Sequence, residues 1–246
     1  MSPWPYPFWI AHRGAGKLAQ ENTLAAFRLG ARHGYRMFEC DAKLSADGVV
    51  FLLHDSTLER TTNGQGTAGE QPWAALAQLD AGGWHSRAWA GEPIPTLDNL
   101  ARWCLANHHL LDIEIKPTPG TEAATGRAVA ALAASLWQGA AVPPLLTSFQ
   151  TEALRASQQV APQLPRGLLL DTLWDGWLAA ARQLDCAAIV CNHALWDAAT
   201  VSQVKAAGLR ALSYTVNDAW AAERLMALAT DGIVTDRVDL FSPASR

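Results

Sequence analysis

The fold follows most directly from residues 36–54, which read RMFECDAKLSADGVVFLLH. Two apolar runs, 36–41 and 49–54, flank a segment that contains Asp47-Gly48. Asp-Gly between apolar runs is a hairpin signal, because these residues tolerate the backbone angles of a tight turn. The two runs are therefore predicted to form one hairpin, which counts as a single strand unit.

The rest of the chain alternates short apolar runs with alanine-rich helical stretches. Further strands are predicted at 7–12, 109–115, 144–149, 166–170, 187–191, 210–216 and 232–235. Helices are predicted at 22–33, 96–107, 121–138, 151–158, 175–184, 198–207 and 218–229, with Asp197 and Gly208 as caps of the sixth. Eight alternating strand units in 246 residues predict an α/β fold of the (β/α)₈ TIM-barrel type. An open doubly wound sheet is the alternative, and the lack of a GxGxxG segment after a strand weighs against its dinucleotide-binding form.

Residues 56–95 interrupt this alternation. They contain the turn-rich run 61–66 and the tryptophans Trp73, Trp84 and Trp89. Long loops in compact domains are often functional. We expect a loop-rich insertion after the second strand unit, within a single domain that spans residues 1–246.

Composition narrows the possible partners and compartments. The net charge is −4 and no basic stripe is present, so nucleic-acid binding is not expected. The four cysteines show no CxxC spacing, which favours buried reduced thiols over a zinc site. Neither a signal peptide nor an apolar run long enough to span a bilayer is recognisable. We expect a cytoplasmic protein without stable membrane insertion, and the oligomeric state stays open.

Ionisable residues concentrate where the predicted strands end, which is where TIM barrels carry their active sites. Glu39 and Asp41 share one face of a strand because side chains alternate with a period of two, and Glu114 lies on the same face as Lys116. An exposed sheet face or a buried Glu114–Lys116 ion pair would also explain these residues. Three converging carboxylates instead favour an oxygen-ligated divalent cation, Mg²⁺ or Ca²⁺.

Two histidines and two cations follow the same strand ends. His12 and His54 can exchange protons near neutral pH, because the ordinary pKa of histidine is about 6.5. Arg13 offers a planar fork for phosphate oxygens and Lys116 a point charge, although surface roles are the commoner ones for both residue types. Together with a cation, these groups fit the cleavage of a phosphodiester.

The ordered set of short motifs resembles the glycerophosphodiester phosphodiesterase family. The motifs are HRG at 12–14, QENT at 20–23, ECD at 39–41, HD at 54–55, EIK at 114–116, YTVN at 214–217 and GIVTD at 232–236. Each motif is weak alone, but the set spans nearly the whole chain in order. The chain departs from the family pattern at Gln20 and Val238, where proline is usual, and at Tyr214, where tryptophan is usual.

The resemblance implies a TIM barrel that converts a glycerophosphodiester and water into glycerol 3-phosphate and an alcohol. It implies one divalent cation held by Glu39, Asp41 and Glu114, acid–base catalysis by His12 and His54, and phosphate contacts from Arg13 and Lys116. Tyr214 would form a pocket wall. Phe149, Trp84 and Trp89 are candidates for lining the glycerol pocket, with core packing or loop anchoring as the equally open alternative.

A mechanism consistent with this resemblance uses the substrate's own glycerol 2-hydroxyl as the nucleophile. One histidine would remove its proton and the other would protonate the leaving alcohol, and the sequence does not assign the two roles. The alternatives are a phospholipase-like barrel, of the sphingomyelinase D-like or phosphoinositide-cleaving kind, and a non-catalytic phosphate-binding barrel.

Overall fold

A closed ring of eight parallel strands forms the centre of the computed structural model, which describes residues 4–244. The strands in chain order are β1 Trp9–Ala11, β2 Met37–Leu44, β3 Val50–Leu52, β4 Leu110–Ile115, β5 Leu145–Ser148, β6 Arg166–Leu170, β7 Ala188–Asn192, β8 Arg210–Tyr214 and β9 Gly232–Thr235. The ring runs β1-β9-β8-β7-β6-β5-β4-β2 and closes through pairing of β1 with β2. The predicted TIM barrel is confirmed, and the open sheet is wrong.

The predicted hairpin is confirmed as well. Strand β3 runs antiparallel to β2 and stands at the end of the strand order, so it lies outside the ring of parallel strands. Gly48 has a φ of +86°, the left-handed conformation that glycine adopts without steric cost. Ser45 and Asp47 brace the turn through a 2.6 Å hydrogen bond between their side chains.

Helices alternate with the barrel strands as predicted, within a few residues at each end. They are α1 Leu24–Arg32, the four-residue α2 Trp73–Leu76, α3 Leu97–Ala106, α4 Glu122–Leu136, α5 Thr151–Val160, α6 Trp177–Gln183, α7 Ala198–Ala206 and α8 Ala219–Ala227. Asp197 caps α7 by accepting a hydrogen bond from the Thr200 amide, and Gly208 follows that helix with a positive φ. After β9 the chain turns without a further helix among the described residues, and the ring of Phe241 stacks on that of Trp9.

Two apolar layers hold the barrel together. The larger lies between strands and helices and contains Phe27, Phe38 and Cys40, while the smaller fills the barrel interior with residues such as Ile10 and Met37. All four cysteines are buried and free, as predicted. Because the interior layer occupies only part of the barrel, space remains above it at the carboxyl ends of the strands.

The segment between β3 and α3 carries the predicted insertion. Besides α2, it contains 3₁₀ turns at Ala68–Glu70 and Arg87–Trp89. It packs around a small apolar cluster of its own that includes Phe51, Leu58 and Leu76.

Three expectations about the chain as a whole stay predictions: the single domain, the cytoplasmic location and the missing signal peptide. Met1 to Pro3, on which the last of these partly rests, lie outside the described residues. Among residues 4–244, no helix combines the length and the apolar character needed to cross a bilayer.

Candidate active site

The register between β2 and β4 brings acidic residues together at the barrel mouth. Asp41 lies opposite Glu114, and Glu39 lies opposite Asp112 two residues earlier. Because alternate residues of a strand face the same side, these side chains point into the barrel. One carboxylate oxygen each from Glu39, Asp41 and Glu114 lie within 4.8 Å of one another.

Two cations partly compensate this charge. Nε of Arg13 lies 3.1 Å from Oδ2 of Asp41, and Nζ of Lys116 lies 2.7 Å from Oε1 of Glu114 and 3.6 Å from Oδ1 of Asp41. Asn22 also donates a hydrogen bond of 2.8 Å to Asp41. Burial alone would raise the pKa of Asp41, but Arg13, Lys116 and the Asn22 hydrogen bond together hold it well below its usual range.

Two oxygen atoms of the cluster have no hydrogen-bond partner. Oε1 of Glu39 and Oδ1 of Asp41 are buried and accept no hydrogen bond from the described residues, although the Lys116 ammonium lies 3.6 Å from Oδ1 of Asp41. Burial and the charge of Asp41 raise the pKa of Glu39, and the same two causes raise the pKa of Glu114 to about 7. Three clustered carboxylates, two of them with a buried oxygen that accepts no hydrogen bond, could hold a hard divalent cation.

His12 follows β1 and is held by an aspartate from the other end of the chain. Its Nδ1 lies 2.6 Å from Oδ1 of Asp236, and its Nε2 lies 3.7 Å from Oε2 of Glu39. Asn217 donates to Oδ2 of Asp236 at 2.9 Å and accepts from the Asp236 amide at 3.0 Å. Burial would raise the pKa of Asp236, but the contact with His12, the hydrogen bond from Asn217 and the charge of Arg13 together lower that pKa to about 2. Because the ionised carboxylate accepts a hydrogen bond from Nδ1–H, the proton is held on Nδ1, and Nε2 is the nitrogen that can exchange protons with a ligand.

His54, at the end of the hairpin, has the same arrangement. Its Nδ1 lies 2.7 Å from Oδ1 of Asp55, which also accepts a 3.0 Å hydrogen bond from Arg60. Hydrogen bonds from Arg60 hold the pKa of Asp55 well below its usual range, while burial lowers the pKa of His54. Arg60 also donates a hydrogen bond of 2.8 Å to the Glu21 carboxylate, which accepts a further hydrogen bond of 2.9 Å from Arg13. The insertion is thereby tied to the loop after β1.

The central pocket between the two histidines has a volume of about 170 Å³ and walls of opposite character. Its charged side comprises His12, Arg13, Glu39, His54, Glu114 and Lys116. Its aromatic side is formed by Phe149 and Tyr214, whose rings meet edge to face at 5.7 Å. Nζ of Lys116 lies 5.6 Å from the centre of the Phe149 ring, and the Tyr214 hydroxyl donates to the Leu170 carbonyl at 2.9 Å.

The floor of the pocket carries one further acid. Asp112 is buried below Glu114 and accepts a hydrogen bond of 2.8 Å from Thr147. Burial raises the pKa of Asp112 to about 8, so its carboxyl group is largely protonated at neutral pH. Asp112 is therefore a neutral neighbour of the three-acid cluster.

The structure thus gathers the nine predicted site residues at one mouth of the barrel, with Asp41 buried behind the pocket wall. The two insertion tryptophans that were candidates for the glycerol pocket lie in different places: Trp84 lines an adjacent cavity, and Trp89 packs against the main core. No role is predicted from sequence for Asp236, Asn217 or Asp55. Each closes a recognised motif, but the contact of Asp236 joins residues 224 positions apart and depends on barrel closure.

Two histidines, each bound to an aspartate, and an acid cluster lie together at the carboxyl ends of the strands, which is where TIM-barrel enzymes carry their active sites. The model of the glycerophosphoryl diester phosphodiesterase family matches residues 12–240. The chain belongs to that family and is a phosphodiesterase, as its motifs predict.

Relatives of known name support this assignment along the whole chain. A glycerophosphodiester phosphodiesterase of Caldanaerobacter subterraneus is 32% identical over 92% of this chain and 93% of its own length. A phosphodiesterase from Oleispira antarctica, solved in complex with the product sn-glycerol-3-phosphate, superposes with a TM-score of 0.90 at 33% identity, covering 98% of this chain and 97% of that one. The glycerophosphodiester phosphodiesterase of Agrobacterium tumefaciens strain C58 superposes with a TM-score of 0.80 at 32% identity, and the match covers 96% of this chain and 99% of that one.

Proposed function

We propose that this chain hydrolyses glycerophosphodiesters to glycerol 3-phosphate and an alcohol by acid–base catalysis between two histidines. The observation that carries the proposal is the pair of imidazoles whose Nδ1 atoms are held by Asp236 and Asp55 beside three clustered acids. The Oleispira relative with bound sn-glycerol-3-phosphate supports the choice of product.

Glu39, Asp41 and Glu114 would hold one divalent cation, Mg²⁺ or Ca²⁺, because all three ligands are carboxylates. When bound, such an ion supplies positive charge beside the phosphate and lowers the pKa of a hydroxyl group that it contacts. Arg13 and Lys116, already held at the cluster, would contact phosphate oxygens.

Proton transfer in the first step falls to the two histidines. The oxygen of the glycerol 2-hydroxyl attacks phosphorus, one Nε2 takes its proton, and the other imidazole protonates the alcohol oxygen as its bond to phosphorus breaks. A water molecule then opens the cyclic phosphate, and the histidines exchange roles. Asp236 and Asp55 keep Nδ1 protonated, which presents each Nε2 for this transfer.

The aromatic wall of the central pocket would bind the glycerol unit of the substrate. Phe149 and Tyr214 offer an aromatic surface to the carbon chain of glycerol, opposite the charged wall. The hydrogen bond from the Tyr214 hydroxyl to Leu170 fixes the ring and directs its polar end away from ligands. The glycerol unit would lie against this surface with its phosphate toward Lys116.

The test compares glycerophosphocholine with its analogue that lacks the glycerol 2-hydroxyl, using release of choline as the readout and a chelator with metal add-back as a second arm. We expect turnover of glycerophosphocholine that needs the cation, and no turnover of the analogue. Cleavage of both compounds would refute the internal nucleophile but not the hydrolase. Tight binding without any product would favour the non-catalytic barrel, and activity only on phospholipid vesicles would favour the phospholipase-like one.

The roles of the histidines are separated by the leaving group. His12→Ala and His54→Ala should each lower turnover of glycerophosphocholine by roughly 10²–10⁴-fold. A nitrophenyl ester of glycerol phosphate needs little protonation of its leaving group, so the variant without the acid should recover most of its rate on that substrate. The variant without the base should stay slow, and equal recovery of both variants would contradict the division of roles.

We also propose a cytoplasmic location, supported by four buried free thiols that a reducing compartment would preserve. Cell fractionation with activity measurement tests this proposal, and activity confined to an extracytoplasmic fraction would contradict it.

A further inference from the structure

A second cavity of about 350 Å³ adjoins the central pocket and shares His12 and Arg13 with it. We call it the side cavity. Its remaining walls come from the loop after β1, the insertion and the segment after β9, through Lys17, Glu21, Trp84, His85 and Asp236. Its volume lies in the range of ordinary ligand pockets, roughly 300–1,000 Å³. A group bonded to a phosphate in the central pocket can therefore extend past His12 into this space.

The acidic residues of the side cavity have ion-pair partners, whereas one of its basic residues, Lys17, has none among the described residues. Glu21 is bound by two guanidinium groups, those of Arg13 and Arg60, and Asp236 is bound by His12 and Asn217. The ammonium of Lys17 forms none of the ion pairs found among residues 4–244. Lys17 is an exposed residue of the cavity wall, so the charge left without an ion-pair partner at this wall is positive, which disfavours a cationic ligand.

His85 adds a hydrogen-bonding atom without a partner. Its Nε2 lies 3.3 Å from the carbonyl oxygen of Lys17, which can only accept, so Nε2 donates this hydrogen bond and Nδ1 of the neutral imidazole is an acceptor. That Nδ1 is buried and has no hydrogen-bond partner among the described residues. A hydroxyl group can satisfy this acceptor, whereas a quaternary ammonium cannot.

Trp84 supplies a fixed aromatic surface. Its Nε1 donates a 2.9 Å hydrogen bond to the Ala81 carbonyl, and its ring meets His85 edge to face at 5.6 Å. Trp84 nevertheless keeps 41% of its surface exposed. An anchored and exposed indole at a cavity mouth can stack against the carbon skeleton of a polyol.

We propose that the side cavity binds the alcohol part of the phosphodiester and selects hydroxyl-rich alcohols, such as glycerol or inositol, over choline. The proposal rests on the proposed function, because the ligand reaches the cavity only as part of a diester bound at His12. Lys17 donates to hydroxyl oxygens, His85 accepts from a hydroxyl group, and Trp84 packs against the carbon atoms between them.

The test measures kcat/KM for three substrates: glycerophosphoglycerol, glycerophosphocholine and the methyl ester of glycerol 3-phosphate. The methyl ester has no alcohol part that could reach the side cavity. We expect the wild type to prefer glycerophosphoglycerol over glycerophosphocholine by at least about fivefold, as one or two hydrogen bonds allow. Lys17→Ala and Trp84→Ala should each lower the ratio of glycerophosphoglycerol to methyl ester turnover by about five- to tenfold.

Matched controls lie elsewhere on the surface. Lys205→Ala removes a lysine from α7, and Trp220→Ala removes a tryptophan that is 62% exposed on α8. Both should leave the substrate ratios unchanged. Unaltered ratios in Lys17→Ala and Trp84→Ala, equal losses on all three substrates, or a wild-type preference for choline would each overturn the side-cavity proposal. Lack of turnover of every substrate, the methyl ester included, would instead refute the proposed function.

Discussion

Replacing Asp236 by asparagine tests how the barrel prepares His12 for proton transfer. In the wild type, Oδ1 of Asp236 accepts from Nδ1 of His12, and Oδ2 accepts from Nδ2 of Asn217. Asn217 cannot turn its amide over, because its oxygen accepts from the Asp236 amide at 3.0 Å. An amide at position 236 can therefore satisfy only one neighbour: either its NH₂ group opposes the Asn217 donor, or it faces His12 and forces the proton from Nδ1 to Nε2.

Either orientation of the new amide loses one hydrogen bond around His12 and Asn217 and should therefore lower the catalytic rate. A hydrogen bond to a charged group contributes roughly 1.5–3 kcal/mol, which corresponds to a loss of roughly 10- to 150-fold in rate. Stability should fall as well. The pKa of Asp236 is about 2 in the folded protein against about 3.9 when unfolded, so its ionised form stabilises the fold by roughly 2–3 kcal/mol at neutral pH.

The assay is kcat/KM against pH for Asp236→Asn, with Asp239→Asn as the matched control. Asp239 is 37% exposed and pairs with Arg237, away from the pocket. We expect the Asp236 variant to be slower across the whole profile and the control to match the wild type. A rate within twofold of wild type with an unshifted profile would refute the argument that Asp236 sets the proton position on His12.

Three further predictions follow from the same region. Gly16→Ala should lower the free energy of unfolding in urea by about 3 kcal/mol or more, because Gly16 has a φ of +53° and a Cβ there would lie 2.2 Å from the Asp236 backbone. Gly34→Ala should lower it by only about 1 kcal/mol, because Gly34 has a φ of +89° but a Cβ there would meet open space. Gln20→Met should raise the free energy of unfolding by about 1–2 kcal/mol, because both amide atoms of the buried Gln20 lack hydrogen-bond partners. The stability difference between the wild type and Asp236→Asn, measured by urea unfolding at successive pH values, should be fully present above about pH 4 and should vanish as the pH falls through about 2, because the depressed pKa of Asp236 stabilises only the ionised form.

Each of these has a result that contradicts it. Equal losses in Gly16→Ala and Gly34→Ala would show that backbone angle alone matters and that the contact with Asp236 does not. A less stable Gln20→Met variant would show that the amide is satisfied, by water for example. A constant difference between wild type and Asp236→Asn down to pH 2 would show that the carboxylate adds no charge-dependent stability.

The barrel could be predicted because its signals are local. Alternation of apolar runs and helices, together with Asp47-Gly48, indicates eight strand units and the hairpin. The period of two is enough to place Glu39 with Asp41, and Glu114 with Lys116, on common strand faces. The parallel register of β2 and β4 then brings these faces together.

What could not be predicted depends on contacts between distant parts of the chain. The hydrogen bond from His12 to Asp236 requires β1 to pair with β9, and the ion pair between Arg60 and Glu21 requires the insertion to fold back over the loop after β1. No local pattern encodes either contact. Trp84 shows the same limit, because composition identified an aromatic residue in the insertion but not which of two cavities it lines.

The central claim is that Glu39, Asp41 and Glu114 share one divalent cation beside two proton-exchanging histidines. Crystals of the full chain soaked in Mn²⁺, with anomalous scattering recorded at the manganese edge, test it most directly. We predict one strong peak at about 2.0–2.3 Å from an oxygen of each carboxylate, which is lost in Asp41→Asn crystals. A catalytically active crystal without a peak among these three residues, or with its ion held elsewhere, would contradict the account.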